Sequence, residues 1–371
     1  NVMITSYGLI RNDYEAYNKY NFNLIAIDEA QNIKNPNAGI TKAVKDLKAD
    51  IKLALTGTPI ENNILELWSI FDFIMPGYLA SKDKFQKIYN VKDMDSEKNS
   101  LDKLNTQIKY FILRRKKKDV VKDLPEKIEN NIYIDLGQKQ KEIYAAEVQK
   151  TKDSLNEMVR EEGFTKAKFK ILQLLTKLRE ICVDPSLVYE NYKGGSAKIE
   201  ELLKIAEETK ANGHKMLIFT TYKKALDMII PKLNNIGVKS YYIDGSVPSK
   251  KRMELVDKFN SDDTDVFIIT LKAGGTGLNL TSATVVIHLD LWWNPQVENQ
   301  ATDRAHRIGQ KNKVEVIRLI TKGTIEERIL ELQNKKRKLA DMLIDGEGHS
   351  ENEFSKLTED DIKMLLSMDK N

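Results

Sequence analysis

The densest chemistry in the chain lies in Gln300-Ala-Thr-Asp-Arg-Ala-His-Arg-Ile-Gly-Gln310. Asn294-Pro295 just ahead of it is a helix start, with Asn as N-cap and Pro at the first helical position, and Gly309 is a stop. On a helix over Pro295–Ile308, Gln296, Gln300, Arg304 and Arg307 share one polar face. Val297, Ala301, Ala305 and Ile308 then form the apolar arc that anchors it to a core. Two guanidiniums about one turn apart suit a planar, delocalised anion such as a phosphoryl group in transfer. A solvated surface helix gives the same pattern, so the rest of the chain must decide.

A second candidate is the acidic pair Asp28-Glu29, which follows the apolar run Leu24–Ile27. One carboxylate of such a pair can hold Mg²⁺ through its water shell while the other orients or deprotonates an attacking water. A solvated strand-to-loop junction is the plain alternative. A third is Thr270–Thr281, where Gly274, Gly275 and Gly277 would let backbone amides approach a phosphate or ribose. Thr270 and Lys272 could add donors to a nucleic-acid backbone, and Thr220-Thr221 is a comparable hydroxyl pair. Trp292-Trp293 reads as interdomain packing ahead of base stacking, because buried aromatics supply area first.

These residues need elements to place them. Val2–Thr5, Leu24–Ile27 and Ile51–Leu55 are short apolar runs between helix-compatible stretches, the pattern of a parallel α/β sheet. The second and third runs end in Asp28-Glu-Ala-Gln31 and Thr56-Gly-Thr-Pro59, where an open sheet presents ligand-binding groups. Asn63–Ile74 is a helix with Leu65, Leu67, Trp68, Phe71 and Phe73 turned inward. Leu79–Leu113 reads as a helical insertion with a polar middle at Asp93–Asn99. A linker at 114–125 holds five consecutive basic residues, Arg114–Lys118, which are more often solvated than bound. Lys127–Leu136 alternates like a strand. Gln138–Val188 is helical in period, with Leu172, Leu175, Leu178 and Ile181 on one stripe, and forms a second insertion over 138–192. Helix Ala197–Ala211 follows.

From Lys215 the alternation is regular. Strands fall at Met216–Thr220, Ser240–Ile243, Val266–Thr270, Thr284–Leu289 and Val314–Ile320, with helices at Lys223–Asn235, Ser249–Asn260 and Pro295–Ile308. The second domain, 126–345, is therefore a parallel α/β sheet. Thr324–Ile344 is a long charged amphipathic helix, and 346–371 an acidic-leaning tail.

Composition bounds the function classes. The 371 residues suggest two domains, and 41% hydrophobic with 31% charged content is that of a globular chain. Lys+Arg 59 against Asp+Glu 55 leaves +4, which permits nucleic-acid binding without arguing for it. One cysteine and four scattered histidines offer neither a disulfide framework nor metal-ligand spacing. No membrane span or signal peptide is visible. Few Pro and Trp with many Lys, Asn and Ile suggest an AT-rich bacterial source, and the cytoplasm or nucleoid as location.

Taken together, the chain resembles the Swi/Snf-type branch of superfamily-two helicase-like ATPases. The matching pieces are Ile4-Thr-Ser-Tyr7, Asp28-Glu-Ala-Gln31, Leu55–Asn62, Leu113-Arg-Arg-Lys116, Asp123-Leu-Pro-Glu-Lys127, Ile218-Phe-Thr-Thr221, Ala273–Leu280, Trp293-Asn-Pro295 and Gln300–Gln310. The resemblance implies two RecA-like domains, the first partial (1–113) and the second complete (126–345), that bind ATP and Mg²⁺ in a cleft and track along double-stranded DNA without sequence preference. By that match, Asp28 serves Mg²⁺, Glu29 activates water, Arg304 and Arg307 are arginine fingers supported by Gln300, and Gly275 and Gly277 line the nucleotide. Thr5, Thr220, Thr270 and Lys272 lie toward the DNA backbone. The stretches 79–113 and 138–192 match the insertions of this branch, and Thr324–Ile344 matches its brace helix.

Two departures qualify the match. Gln31 stands where the family usually has His as the fourth residue of its Asp-Glu motif. A phosphate loop needs Gly-x-x-x-x-Gly-Lys-Ser/Thr, and Gly-Lys occurs nowhere in this sequence. Since the family carries that loop upstream of the matching region, the expectation is a piece of a DNA-translocating ATPase, inactive by itself. The alternatives are a non-catalytic nucleic-acid-binding or interaction module, and a strand-separating helicase, against which the two insertions argue.

Overall fold

Short apolar strands paired in parallel build both halves of the chain. The computed structural model describes residues 1–57, 64–89, 103–113, 115, 121, 124–162, 164–274, 277–334 and 365. The chain divides after Arg114 into a first unit, 1–114, and a second, 115–334 with Leu365.

In the first unit β1 (Asn21–Ile27) and β2 (Lys48–Ala54) pair in parallel, with Leu24 opposite Ile51 and Ile27 opposite Ala54. Parallel neighbours need a crossover, supplied here by helix Gly39–Asp46. Its Ala43 and Val44 bury against Ile27, Ile33, Ile70 and Phe73. Helix Ile64–Ile74 is apolar almost all round, so it is enclosed: Leu67, Trp68, Phe71 and Phe73 are buried, and Phe85, Leu104 and Ile108 pack on its far side. Each such side chain withdrawn from water contributes roughly 1.5–3 kcal/mol. The first insertion is helical at Lys82–Tyr89 and 103–108, while Asp93–Asn99 falls outside the described residues. The expected strand Val2–Thr5 is not formed. No described strand pairs with it, and Val2 and Ile4 are more than nine-tenths exposed.

The second unit is a six-stranded parallel sheet in the order β3 (Lys127–Ile134), β8 (Val314–Thr321), β7 (Ala283–His288), β4 (Lys215–Thr220), β6 (Val266–Thr270), β5 (Ser240–Ile243). The five expected strands are present within a residue at either end, and the Lys127 run joins them as an edge strand beside β8. Central strands β4, β6 and β7 are buried on both faces, hence their unbroken apolar runs. One core face collects Ile218, Ile229, Ile268 and Ile287, and the other Leu217, Phe219, Phe259 and Phe267. The second insertion is a pair of helices, Gln138–Glu162 and Phe164–Val183, with Leu175, Leu178 and Ile181 fully buried and Leu172 half-buried. The long charged helix is described over 325–334. The rest of Thr324–Ile344, and the tail apart from Leu365, lie outside the described residues.

One helix ends earlier than its pattern predicts. The Pro295 helix stops at Thr302, where the Asp303 amide still bonds to Asn299 O, and the chain then turns through 303–309. Other donors take the carbonyls that would continue it: Leu280 N–H bonds to Arg304 O at 2.9 Å, and Gln310 Nε2, five residues on, to Ala305 O at 3.1 Å. Ile308, expected in the apolar arc, is consequently 73% exposed, while Ala301 and Ala305 are buried as expected.

Candidate functional site

The carboxyl end of β1 delivers Asp28 and Glu29 into solvent. Leu55 N–H bonds to Ile27 O and Ala30 N–H to Leu55 O, so the acidic turn is stitched to the end of β2. Glu29 itself takes a left-handed backbone, φ 50° and ψ 54°, in a chain where only Ala80 among the other described non-glycine residues has positive φ. That conformation costs roughly 1–2 kcal/mol for a residue with a Cβ, and three groups offset it. The Asn32 amide and side-chain Nδ2 both donate to Glu29 O at 2.9 Å. Tyr7 OH donates to Asp28 O at 2.6 Å. Burial first, then the neighbouring Asp28 and Glu29 charges, pushes that Tyr7 hydroxyl up to about 12, so it remains a donor at any ordinary pH.

The Glu29 side chain is aimed by a relay. Gln31 Nε2 donates to Glu29 Oε2 at 2.7 Å, and Thr56 Oγ1 donates to Gln31 Oε1 at 2.7 Å. A side-chain amide offers a donor on one side and an acceptor on the other whatever the pH. Gln31 therefore links the acidic turn to the Thr56-Gly57 loop. Asp28 Oδ1 accepts from Glu29 N–H at 2.9 Å, and its second oxygen carries no hydrogen bond among the described residues. Thr5 Oγ1 lies 2.7 Å from Tyr17 OH in the same unit.

In the second unit, parallel register sets Thr220 and Thr270 side by side at the carboxyl ends of β4 and β6. Thr270 is 7% exposed. Thr220, expected toward the DNA backbone, is enclosed here. It is fully buried, and its hydroxyl donates to Asp290 Oδ1 at 2.7 Å. The helical turn Leu271–Gly274 continues from β6. Gly275 and the Lys272 side chain lie outside the described residues. At Gly277 a Cβ would meet nothing within 4 Å, so the fold leaves open space there.

Gln300 is half-buried on the short helix, Arg304 is half-buried in the turn after it, and Arg307 is exposed. The reading of these three as one helical face is thus replaced by a helix plus a tied turn. Gln310 ties it, its Nε2 donating to the carbonyls of Thr281, Ala283 and Ala305. Gly309 reverses the chain at φ 102°, a conformation that favours glycine. His306 Nε2 bonds to Pro125 O at 2.8 Å. Because a carbonyl only accepts, Nε2 carries the proton. Leu280 N–H to Arg304 O joins the turn to the end of the glycine-rich loop.

Sequence reasoning missed the side chains behind these groups. Asp290, Arg179, Glu298 and Arg318 are buried polar residues just behind the strand ends. The one visible signal was an acidic residue beside two tryptophans in Asp290-Leu-Trp-Trp293. Among the described residues no group of three or more His, Cys, Asp or Glu is arranged to hold a metal ion, and no helix is long and apolar enough to cross a membrane.

Comparison with known proteins agrees with this arrangement. Residues 1–187 match the SNF2-related domain, and residues 197–309 the helicase conserved C-terminal domain. The chain belongs to the SNF2 family. It is similar to an uncharacterized ATP-dependent helicase of Mycoplasma pneumoniae, at 39% identity over 369 residues, covering 98% of this chain and 34% of that protein. A putative ATP-dependent helicase/translocase of Bacillus subtilis is 40% identical over 376 residues, with coverages of 99% and 40%. The chain thus spans between a third and two fifths of these curated relatives. Among solved structures, the SWI2/SNF2 ATPase core domain of Sulfolobus solfataricus superposes with a TM-score of 0.54 at 35% identity, covering 99% of this chain and 75% of that one. The same core in complex with dsDNA gives 0.51 at 37% identity, with coverages of 92% and 72%. The parallel sheets of this SNF2-family chain are RecA-like, as in those cores.

Proposed function

We propose that this chain supplies the acidic motif, the arginine turn and the DNA-facing strand ends of a DNA-dependent ATPase that moves along double-stranded DNA without separating its strands. The observation that carries this reading is the Glu29–Gln31–Thr56 relay. It holds a solvent-exposed carboxylate, on a strained backbone, in one orientation. Strain kept in place by surrounding hydrogen bonds is characteristic of functional positions. Glu29 would orient or accept a proton from the attacking water, at its Oε1 or Oε2.

Asp28 fits a hydrated Mg²⁺, being exposed, acceptor-only and with one oxygen unengaged among the described residues. When bound, the ion neutralises charge on the nucleotide phosphates. Arg304 and Arg307 would supply cationic charge to a phosphoryl group, with Gln300 orienting them. The open space at Gly277, and Gly275 beside it, would admit a nucleotide close to the backbone. Thr5, Thr270 and Lys272 would contact DNA phosphates, and Thr220 would act by fixing the strand end. The dsDNA complex of the Sulfolobus core supports duplex DNA as the partner.

The test is ATP hydrolysis by the intact protein and by this chain, each with and without duplex DNA, alongside a strand-displacement assay. The intact protein is expected to hydrolyse ATP faster with duplex and to displace no strand, and this chain, which has no Gly-Lys phosphate loop, is expected to be inactive. DNA affinity should fall steeply with salt, as phosphate contacts require. Hydrolysis by this chain alone, or affinity indifferent to salt, would overturn the assignment of roles.

A further inference from the structure

The second insertion sends one charged side chain into the interior of the second unit. Arg179, on helix Phe164–Val183, is 2% exposed. Its Nη2 donates to Asp290 Oδ2 at 3.1 Å and to the Leu291 carbonyl at 2.5 Å. The guanidinium carbon lies 5.5, 5.3 and 5.0 Å from the ring centres of Tyr222, Trp292 and Trp293. Fully buried Asp290 is a hub: it also accepts from Thr220 Oγ1, from Thr221 N–H at 2.9 Å and from Thr221 Oγ1. The residues that follow it are fixed as well. Trp292 N–H bonds to Glu298 Oε1 at 2.8 Å, and Gln333 Nε2 bonds to Trp292 O and to Glu298. Two residues further on, Asn294 caps the helix that leads to Arg304 and Arg307.

Stability alone does not account for Arg179. The desolvation cost of a buried ion pair commonly cancels its attraction, and well-packed apolar residues do as well or better. Arg179 Nε is moreover buried with no hydrogen-bond partner among the described residues, a further cost. What an arginine offers that neither a lysine nor an apolar residue can is a planar, delocalised cation that stacks on aromatic faces, here three rings at once, while its fork of donors keeps fixed directions. Here one nitrogen of that fork grips two consecutive residues, Asp290 and Leu291.

We infer that Arg179 is a positioning residue that locks the helical insertion to two functional segments at once, the Thr220–Thr221 strand end and the Asp290–Trp293 lead into the arginine turn. A displacement of the insertion is passed to both through one side chain, which makes the insertion a control point for hydrolysis. That last clause rests on the function proposed above, whereas the positioning does not.

Two variants of the full chain separate positioning from charge balance. Arg179→Lys keeps a cation beside Asp290 but loses the fork. Arg179→Met with Asp290→Asn removes both charges, so neither variant strands one. Hydrogen exchange is then read at the Thr221 and Trp292 amides, with Leu217 and Ile218 inside β4 as references. Both variants are expected to exchange at least ten times faster at Thr221 and Trp292, with the references unchanged. Wild-type exchange in both would mean that Arg179 only neutralises Asp290, and the inference would be lost. In the intact protein, Arg179→Lys should lower DNA-stimulated kcat at least tenfold with less than a twofold change in KM for ATP. Faster exchange with undiminished kcat overturns the control function, and absence of DNA-stimulated hydrolysis in the unmodified intact protein counts against the ATPase reading instead.

Discussion

Asp28 and Glu29 stand in water at the end of a two-stranded sheet, whereas Asp290, Glu298 and Glu326 are sealed behind the strand ends of a six-stranded one. The first pair is aimed by uncharged partners, Tyr7, Gln31, Asn32 and Thr56, through hydrogen bonds. The second group is held by charged partners: Arg179 for Asp290, Arg318 for Glu298 and Lys198 for Glu326. Exposed acids remain free to meet a hydrated ion or a water, and only their direction must be set. Buried acids cannot meet substrate, so their contribution is to hold backbone segments in place. On the proposed function, the difference separates the place of chemistry from the place where geometry is kept.

That division can be broken at either end. The largest effect should come from the arginine turn: in the intact protein, Arg304→Ala or Arg307→Ala is expected to lower turnover by ~10³-fold or more, the scale of arginine-finger losses. Steady-state ATPase assays check this, and near-normal turnover in both would remove the turn from the site. On the buried side, Lys198→Met leaves Glu326 inside without its cation and should cost ~3–5 kcal/mol of stability. Adding Glu326→Leu should recover most of that loss in urea melts, and failure to recover would mean that packing, not charge, is at fault.

A third test uses pH. Burial, then the nearby Arg318 charge, pushes His288 down to about 3, and it sits neutral against Phe219 with Nε2 3.0 Å from Thr302 Oγ1. The unfolded chain binds its proton near pH 6.5, so this stability is present above that pH and lost as pH falls from 6.5 toward 3. The loss should reach ~3–5 kcal/mol at one pKa unit per 1.36 kcal/mol. Urea midpoints measured across that window should flatten in His288→Phe, and an unchanged slope would assign the acid sensitivity elsewhere. The smallest effect is expected at Tyr7→Phe, which removes one hydrogen bond to Asp28 O. Its loss should cost ~1 kcal/mol, or about fivefold in turnover; stopped ATPase at that position would show that more than backbone support is lost.

Sequence pattern reached the strands of the second unit almost residue by residue, because central parallel strands must be apolar on both faces. The place of Asp28 and Glu29 at the end of β1 was legible from polar residues that directly follow an apolar run. Periodicity overran at 303–308, where the distant Leu280 amide claims the Arg304 carbonyl and the Gln310 side chain claims that of Ala305. Sequence pattern paired Thr220 with Thr221 as hydroxyls but not with Asp290, which lies seventy residues away. Buried long-range partners such as Arg179 read in sequence like any other charge on an amphipathic helix.

The position of β3 has a consequence for how the second unit is made. This strand, the first to be synthesised, pairs along its whole length with β8, the last. It waits as an unpaired edge while the other strands emerge, and the sheet closes only when translation of the unit is nearly complete. Non-local closure of this kind slows folding and exposes edges to other chains. A ribosome stalled before Val314 should therefore carry a nascent unit that is open to chaperones and proteases, and release from the stall should make it resistant in a single step.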